Sequence, residues 1–200
     1  MSADTAAPIV RIEPTRGWRH LGLHEVWEYR ELLYFLIWRE IKGRYRQMAL
    51  GPLWIIAAPI LFAVIIARTL GRLAALGPEG LPYVLFIYSG QILWRVFSGA
   101  AANSSNSLVA NMRLISKVYF PRLVVPIATT VTGLVDFAIC FVILLGFMAF
   151  HGLTPAWAGL LAPVFVFLAL AAALGLGLWL ACLSVKFRDV AFGVNYLISL

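Results

Sequence analysis

Charge is what this sequence has least of. Only 12% of its 200 residues are Asp, Glu, Lys or Arg, 62% are hydrophobic, and the mean hydropathy is +0.89. A water-soluble domain carries roughly a quarter charged residues, so this composition excludes a soluble globule and describes a membrane protein. The formal charge of +7 does not mark a nucleic-acid binder. The cations cluster at the ends of apolar runs, where membrane orientation requires them, rather than over a polar face. Cysteine is scarce as well. Cys140 and Cys182 both lie inside apolar runs, without pairing or metal-ligand spacing, and read as small buried hydrophobes.

The motifs of catalysis are also missing. The histidines are His20, His24 and His151, and the sequence contains no His-x-x-His, Gly-x-Ser-x-Gly or paired-carboxylate spacing. Nor does it contain a G-x-x-x-x-G-K-[ST] loop, so the chain is expected to hold no ATP of its own in the P-loop manner. No cofactor and no metal site are expected in it. Asn103-Ser104-Ser105 matches a glycosylation pattern but falls at the cytoplasmic end of an expected span, where the match is a coincidence. The opening stretch "MSADTAAPIVRIEPTRGW" has no apolar core of a signal peptide, so insertion is expected to be driven by the first true membrane segment.

What the chain does contain is a series of long apolar runs. Residues 1–22 form a polar N-terminal segment, loosely held and cytoplasmic. Residues 23–49 carry a mixed pattern in which Ile37, Ile41 and Tyr45 recur every four positions while Arg39, Lys42 and Arg46 fall opposite. This describes either a helix in the headgroup layer, apolar side towards the acyl chains, or a solvated helix. Trp27, Tyr34 and Trp38 favour the headgroup layer. Residues 50–200 form a transmembrane domain with spans at about 50–70, 83–108, 123–150 and 158–183, and an incomplete run at 191–200. Gly51-Pro52 opens the first span, and Pro59 is expected to kink it. The polar stretch "NSSNS" (103–107) is expected to weaken the end of the second. Ten residues do not cross about 30 Å of hydrocarbon, so the chain is expected to be a fragment of a longer protein. The fold class is therefore an all-α polytopic membrane protein.

Orientation follows from the cations. Arg39, Lys42, Arg44 and Arg46 precede the first span, Arg113, Lys117 and Arg122 follow the second, and Lys186 and Arg188 follow the fourth. Only Arg68 and Arg72 lie at the other ends, which puts the N-terminus and the stretch "NMRLISKVYFPR" (111–122) in the cytoplasm.

Two charges fall well inside spans. Arg95 is about 18 Å from the outer end of the second span and Asp136 about 20 Å from the inner start of the third, at 1.5 Å per residue. Both are expected near mid-bilayer, where they either pair or line a shared path, or hold separate structural roles. Tyr83, Phe86, Gly90, Trp94 and Phe97 recur at intervals of three and four, a stripe that either stacks on the C–H faces of sugar rings or packs helices. The stretch "ALGLGLWLA" (173–181) spaces small residues for close approach of another helix.

The blocks "WREIKGRYRQMALGPLW" (38–54), "LISKVYFPRLVVP" (114–126), "GLVDF" (133–137) and "VKFRDV" (185–190), in that order, resemble the permease subunit of type-2 ABC exporters, over about residues 23–200. Within that family the likeness is to the polysaccharide branch, which exports O-antigen, capsule or teichoic-acid chains. The resemblance implies six spans in the full protein and a homodimer in membrane lipid. Two copies of a separate ATPase would bind ATP and Mg, and a lipid-linked glycan would thread the dimer channel. It implies ATPase coupling through Ile115, Lys117, Tyr119, Phe120, Pro121 and Arg122, with Lys186, Arg188 and Asp189 as a second cytoplasmic element. The sequence departs from the family at Arg95, where members carry a small or polar residue, and at Met48, where they carry Thr or Ser. The same fold moving a drug or lipid, and a membrane enzyme acting on lipid-linked sugars, are the alternative functions.

Overall fold

The structure, a computed structural model, describes residues 23–46, 51–70, 82–154, 159, 161–187, 189–190, 193–194 and 196. Residues 1–22, the connector 71–81, Arg188 and most of the run at 191–200 lie outside the described residues. The regular elements among those described are helices: α1 (Leu23–Glu28), α2 (Arg30–Arg46), α3 (Gly51–Leu70), α4 (Tyr83–Ala110), α5 (Met112–Ile115), α6 (Val124–Val131), α7 (Gly133–Phe150) and α8 (Ala162–Lys186). Three stretches among the described residues, Tyr83–Ala110, Val124–Phe150 and Ala162–Lys186, are long and apolar enough to cross a bilayer. α3 adds the shorter apolar stretch Ile56–Leu70 and stays helical through the buried Pro59. The chain is a helical, multi-pass membrane protein.

α4 is the hub, with α8, α6, α3 and α7 all packed on it and α8 most extensively. The α4–α8 seam is built from small residues. Ala173, Gly177, Ala181 and Ser184 are buried on one side, and Ala100, Ala101 and Ser104 on the other. Lipid chains are as apolar as leucine, so helices in a bilayer gain little by hiding oil from oil. They gain by close backbone approach, which small side chains permit. Gly177 shows how close this is: a Cβ added there would collide with the side chain of Ser104.

The Ser/Asn stretch does not weaken α4, which continues to Ala110. Its hydroxyls and amides turn back onto their own helix: Ser105 Oγ donates to Ala102 O (2.8 Å), Ser107 Oγ to Ser104 O (2.6 Å) and Asn106 Nδ2 to Ala102 O (3.2 Å). Polar residues satisfied in this way can be buried, and Ser105 and Ser107 are, whereas the buried Ser104 Oγ has no hydrogen-bond partner among the described residues.

The third run, by contrast, is divided. α6 ends at Val131, a turn follows at Thr132, and α7 begins at Gly133. Here too hydroxyls bond back, from Thr129 and Thr130 to Pro126 O and from Thr132 to Thr129 O (2.7 Å), competing with the backbone ladder at the division.

α1 and α2 lie against α6 and the segment before it. Val26, Leu36, Phe120, Val124, Val125 and Ala128 form one buried cluster, with Leu32, Leu33, Ile37, Ile115 and Ile127 around it. Ile37, expected to face acyl chains, thus packs on the chain itself. The reason is that α6 offers an apolar face at the same level. Trp27, Tyr34 and Trp38 remain exposed, available to a membrane interface.

Candidate functional site

Two places combine polar chemistry with access. The first is a partly open cavity of about 270 Å³ between α4 and α7, closed at one end by α2. α4 contributes Ile92, Arg95, Val96, Gly99, Ala100 and Asn103, α7 contributes Gly133, Asp136, Phe137 and Cys140, and α2 contributes Arg44. Arg95 and Asp136 therefore share one cavity. The direct bond of Asp136 is to another residue: Arg44 Nη1 donates to Asp136 Oδ2 at 2.6 Å, with both side chains about a third exposed.

α2 carries Arg39, Lys42, Arg44 and Arg46, and the carboxylate of Asp136 is bonded to one of these four cations. α6, which opens the apolar stretch Val124–Phe150, packs on α2. Arg95 is eight residues before Asn103 along α4, about 12 Å, and both line the cavity.

The remaining residues of the aromatic stripe lie elsewhere. Phe86, Gly90 and Trp94 are exposed on α4 and Tyr83 is half-buried. Tyr83 stacks on Phe86 (ring centroids 6.3 Å apart), and Trp94 leans on Phe97 (5.8 Å). Phe97 turns inward, against the α4–α8 cluster. Apart from the neighbouring Arg95, none of them lines the cavity.

The second place is the segment from Asn111 to Arg122. α5 is a single turn, and Lys117 to Pro121 runs on without helix. The two adjacent rings are sharply different: Tyr119 is 76% exposed and Phe120 only 6%. Phe120 is a plug in the α2–α6 cluster, with Ile115 packed beside it, while Lys117, Tyr119 and Arg122 project outward and Pro121 is half-buried at the entry to α6. Arg39 on α2 donates to Asn111 Oδ1 at 2.5 Å, and Asn111 Nδ2 donates to Ser107 O at 2.9 Å, which ties α2 to the end of α4. Residues five apart on one helix, Arg39 and Arg44, thus hold opposite ends of the same assembly. Neither bond has a short-range signal in sequence, since the partners are 72 and 92 positions away. Of the second cytoplasmic element, Lys186 ends α8 with its ammonium 5.2 Å from the Phe187 ring centre, and Asp189 is exposed. Among the described residues no three His, Cys, Asp or Glu gather where they could hold a metal.

Comparison with known proteins is consistent with this arrangement. Residues 31–200 match the ABC-2 type transporter family. An O-antigen export system permease protein RfbA from Myxococcus xanthus is 31% identical over 178 residues, 89% of this chain and 68% of the relative. Two proteins of the same name from Klebsiella pneumoniae are 29% identical over 80% of the chain and 32% over 63%. The match spans about two thirds of the Myxococcus protein but only 61% and 48% of the Klebsiella ones. With the family match taking in everything from α2 to α8, and with the helical, multi-pass architecture that those elements build, the chain belongs to the ABC-2 type transporter family.

Proposed function

We propose that this chain is the transmembrane permease subunit of an ATP-driven exporter that moves a lipid-linked polysaccharide, of O-antigen, capsule or teichoic-acid type, across the cytoplasmic (inner) membrane. It works as a homodimer with two copies of a separate ABC ATPase that binds ATP and Mg, and its N-terminus is cytoplasmic. The observation that carries this reading is the run of three relatives all named O-antigen export permeases, aligned over 63–89% of the chain.

The loop at 111–122 supplies the coupling route. A partner seated on Tyr119, Lys117 and Arg122 bears on a segment that Phe120 plugs into the α2–α6 cluster. Displacement of that plug moves α6, and α6 meets α7 at the Thr132 division, one turn before Asp136. A rigid path of this kind transmits a domain movement, provided the partner's two states contact the loop differently. Pro121 supports it by fixing the entry into α6.

The test is to co-purify the full-length protein with its ATPase and measure ATP hydrolysis with added lipid-linked glycan. Stimulation is expected. Stimulation by drugs or simple lipids and by no glycan would overturn the cargo while leaving the transporter.

A further inference from the structure

Arg95 is the charge that the described chain does not satisfy. It lies twelve residues into a 28-residue spanning helix, and its guanidinium makes no hydrogen bond or ion pair with any described residue. A guanidinium at such a depth is costly unless a partner or a polar cavity receives it. Among the described residues, the cavity that receives Arg95 holds a second guanidinium, Arg44, and one carboxylate, Asp136, which is bonded to Arg44. The cavity is therefore left with an excess positive charge. Arg44 spends one N–H on Asp136 and keeps others.

We propose that this cavity is a binding site for the phosphate of a lipid. Arg95 offers a planar fork of N–H donors, which matches two phosphate oxygens at once, and Arg44 supplies the second cation. Asn103 adds a neutral amide, and Ile92, Val96 and Phe137 line the remainder with hydrocarbon. This division suits an amphiphile with an anionic group beside an apolar tail better than a free ion. Arg44 lines the cavity from α2, and the α4 lining runs about 12 Å from Asn103 to Arg95. Two sources share this chemistry, a phospholipid headgroup and a polyprenyl phosphate carrier. The proposal stands on the cavity and not on the identity of the exported cargo.

For the test, the full-length protein is placed in phosphatidylcholine nanodiscs doped with phosphatidylglycerol, with a polyprenyl phosphate, or with diacylglycerol as the phosphate-free counterpart. Lipid retained on the protein is counted by native mass spectrometry. Wild type is expected to retain a phosphate-bearing dopant well above diacylglycerol. R95Q is expected to lower that retention roughly tenfold or more, the scale of losing a charge-assisted bidentate contact. R95K, which keeps the charge and loses the fork, falls between them. Enrichment of the polyprenyl phosphate alone identifies a carrier site and enrichment of phosphatidylglycerol a headgroup site, and either supports the proposal. If wild type holds diacylglycerol as well as it holds the phosphates, or R95Q retains them like wild type, the proposal is wrong. The first of these comparisons needs no variant, and neither depends on glycan-stimulated ATP hydrolysis.

Discussion

Arg44 and Asp136, 92 positions apart, meet at 2.6 Å and join the surface helix α2 to the first turn of α7. Each side chain keeps about a third of its surface accessible, so the pair stands between a surface bridge and a buried one. Either single replacement by Ala removes this bond from the remaining partly exposed charge. We expect a double-mutant cycle, read by thermal unfolding in detergent, to give a coupling energy of about 1–2 kcal/mol. Strictly additive losses for Arg44→Ala and Asp136→Ala would remove the pair from the account of stability.

The α4–α8 seam leaves no room at Gly177. Gly177→Ala drives a methyl into Ser104 and should cost about 1–3 kcal/mol, seen as a lower melting temperature of the purified protein. Gly175→Ala, two residues away with nothing within 4 Å of a new Cβ, is the control and should be neutral or slightly stabilising.

Tyr119 and Phe120 should separate coupling from folding. Phe120→Ala empties a buried site and is expected to cost about 3–5 kcal/mol, reducing the yield of folded protein. Tyr119→Ala removes a ring that is 76% exposed and should change stability by less than about 0.5 kcal/mol. If the partner ATPase docks here, Tyr119→Ala nevertheless uncouples transport from ATP hydrolysis. Normal export by this variant would show that Tyr119 is not a docking contact.

Arg39 and Asn111 form an exposed contact and should contribute at most about 1 kcal/mol to stability. Arg39→Ala is expected to leave the melting temperature nearly unchanged while raising hydrogen exchange at Asn111 to Ile115, because that turn loses its tether to α2.

Topology can be read with thiol reagents once Cys140 and Cys182 are replaced by Ala. A cysteine in place of Tyr119 should react with an impermeant maleimide only in inside-out vesicles, and one in place of His151 only in right-side-out vesicles. The reverse pattern would invert the proposed orientation.

Much of the architecture could be read from the order of residues alone. Hydropathy marked the spans, because a helix that crosses hydrocarbon must be apolar for about 20 residues whatever surrounds it. The small-residue spacing at 173–181 marked the α8 seam, because close backbone approach excludes larger side chains there. What hydropathy could not assign is which neighbour each apolar side chain meets, since lipid and protein are equally apolar. The adjacent rings of Tyr119 and Phe120 look alike in sequence, yet one projects from the loop and the other fills the α2–α6 cluster. The Ser/Asn stretch looked like a helix end until its hydroxyls found carbonyls on their own helix and its face found α8. The partner of Asp136, Arg44 on a different helix 92 positions away, has no local signal in sequence. Composition and periodicity determined that this is a helical membrane protein. The tertiary structure decided its polar partners and its plugs, because those depend on helices meeting across tens of residues and not on any local pattern.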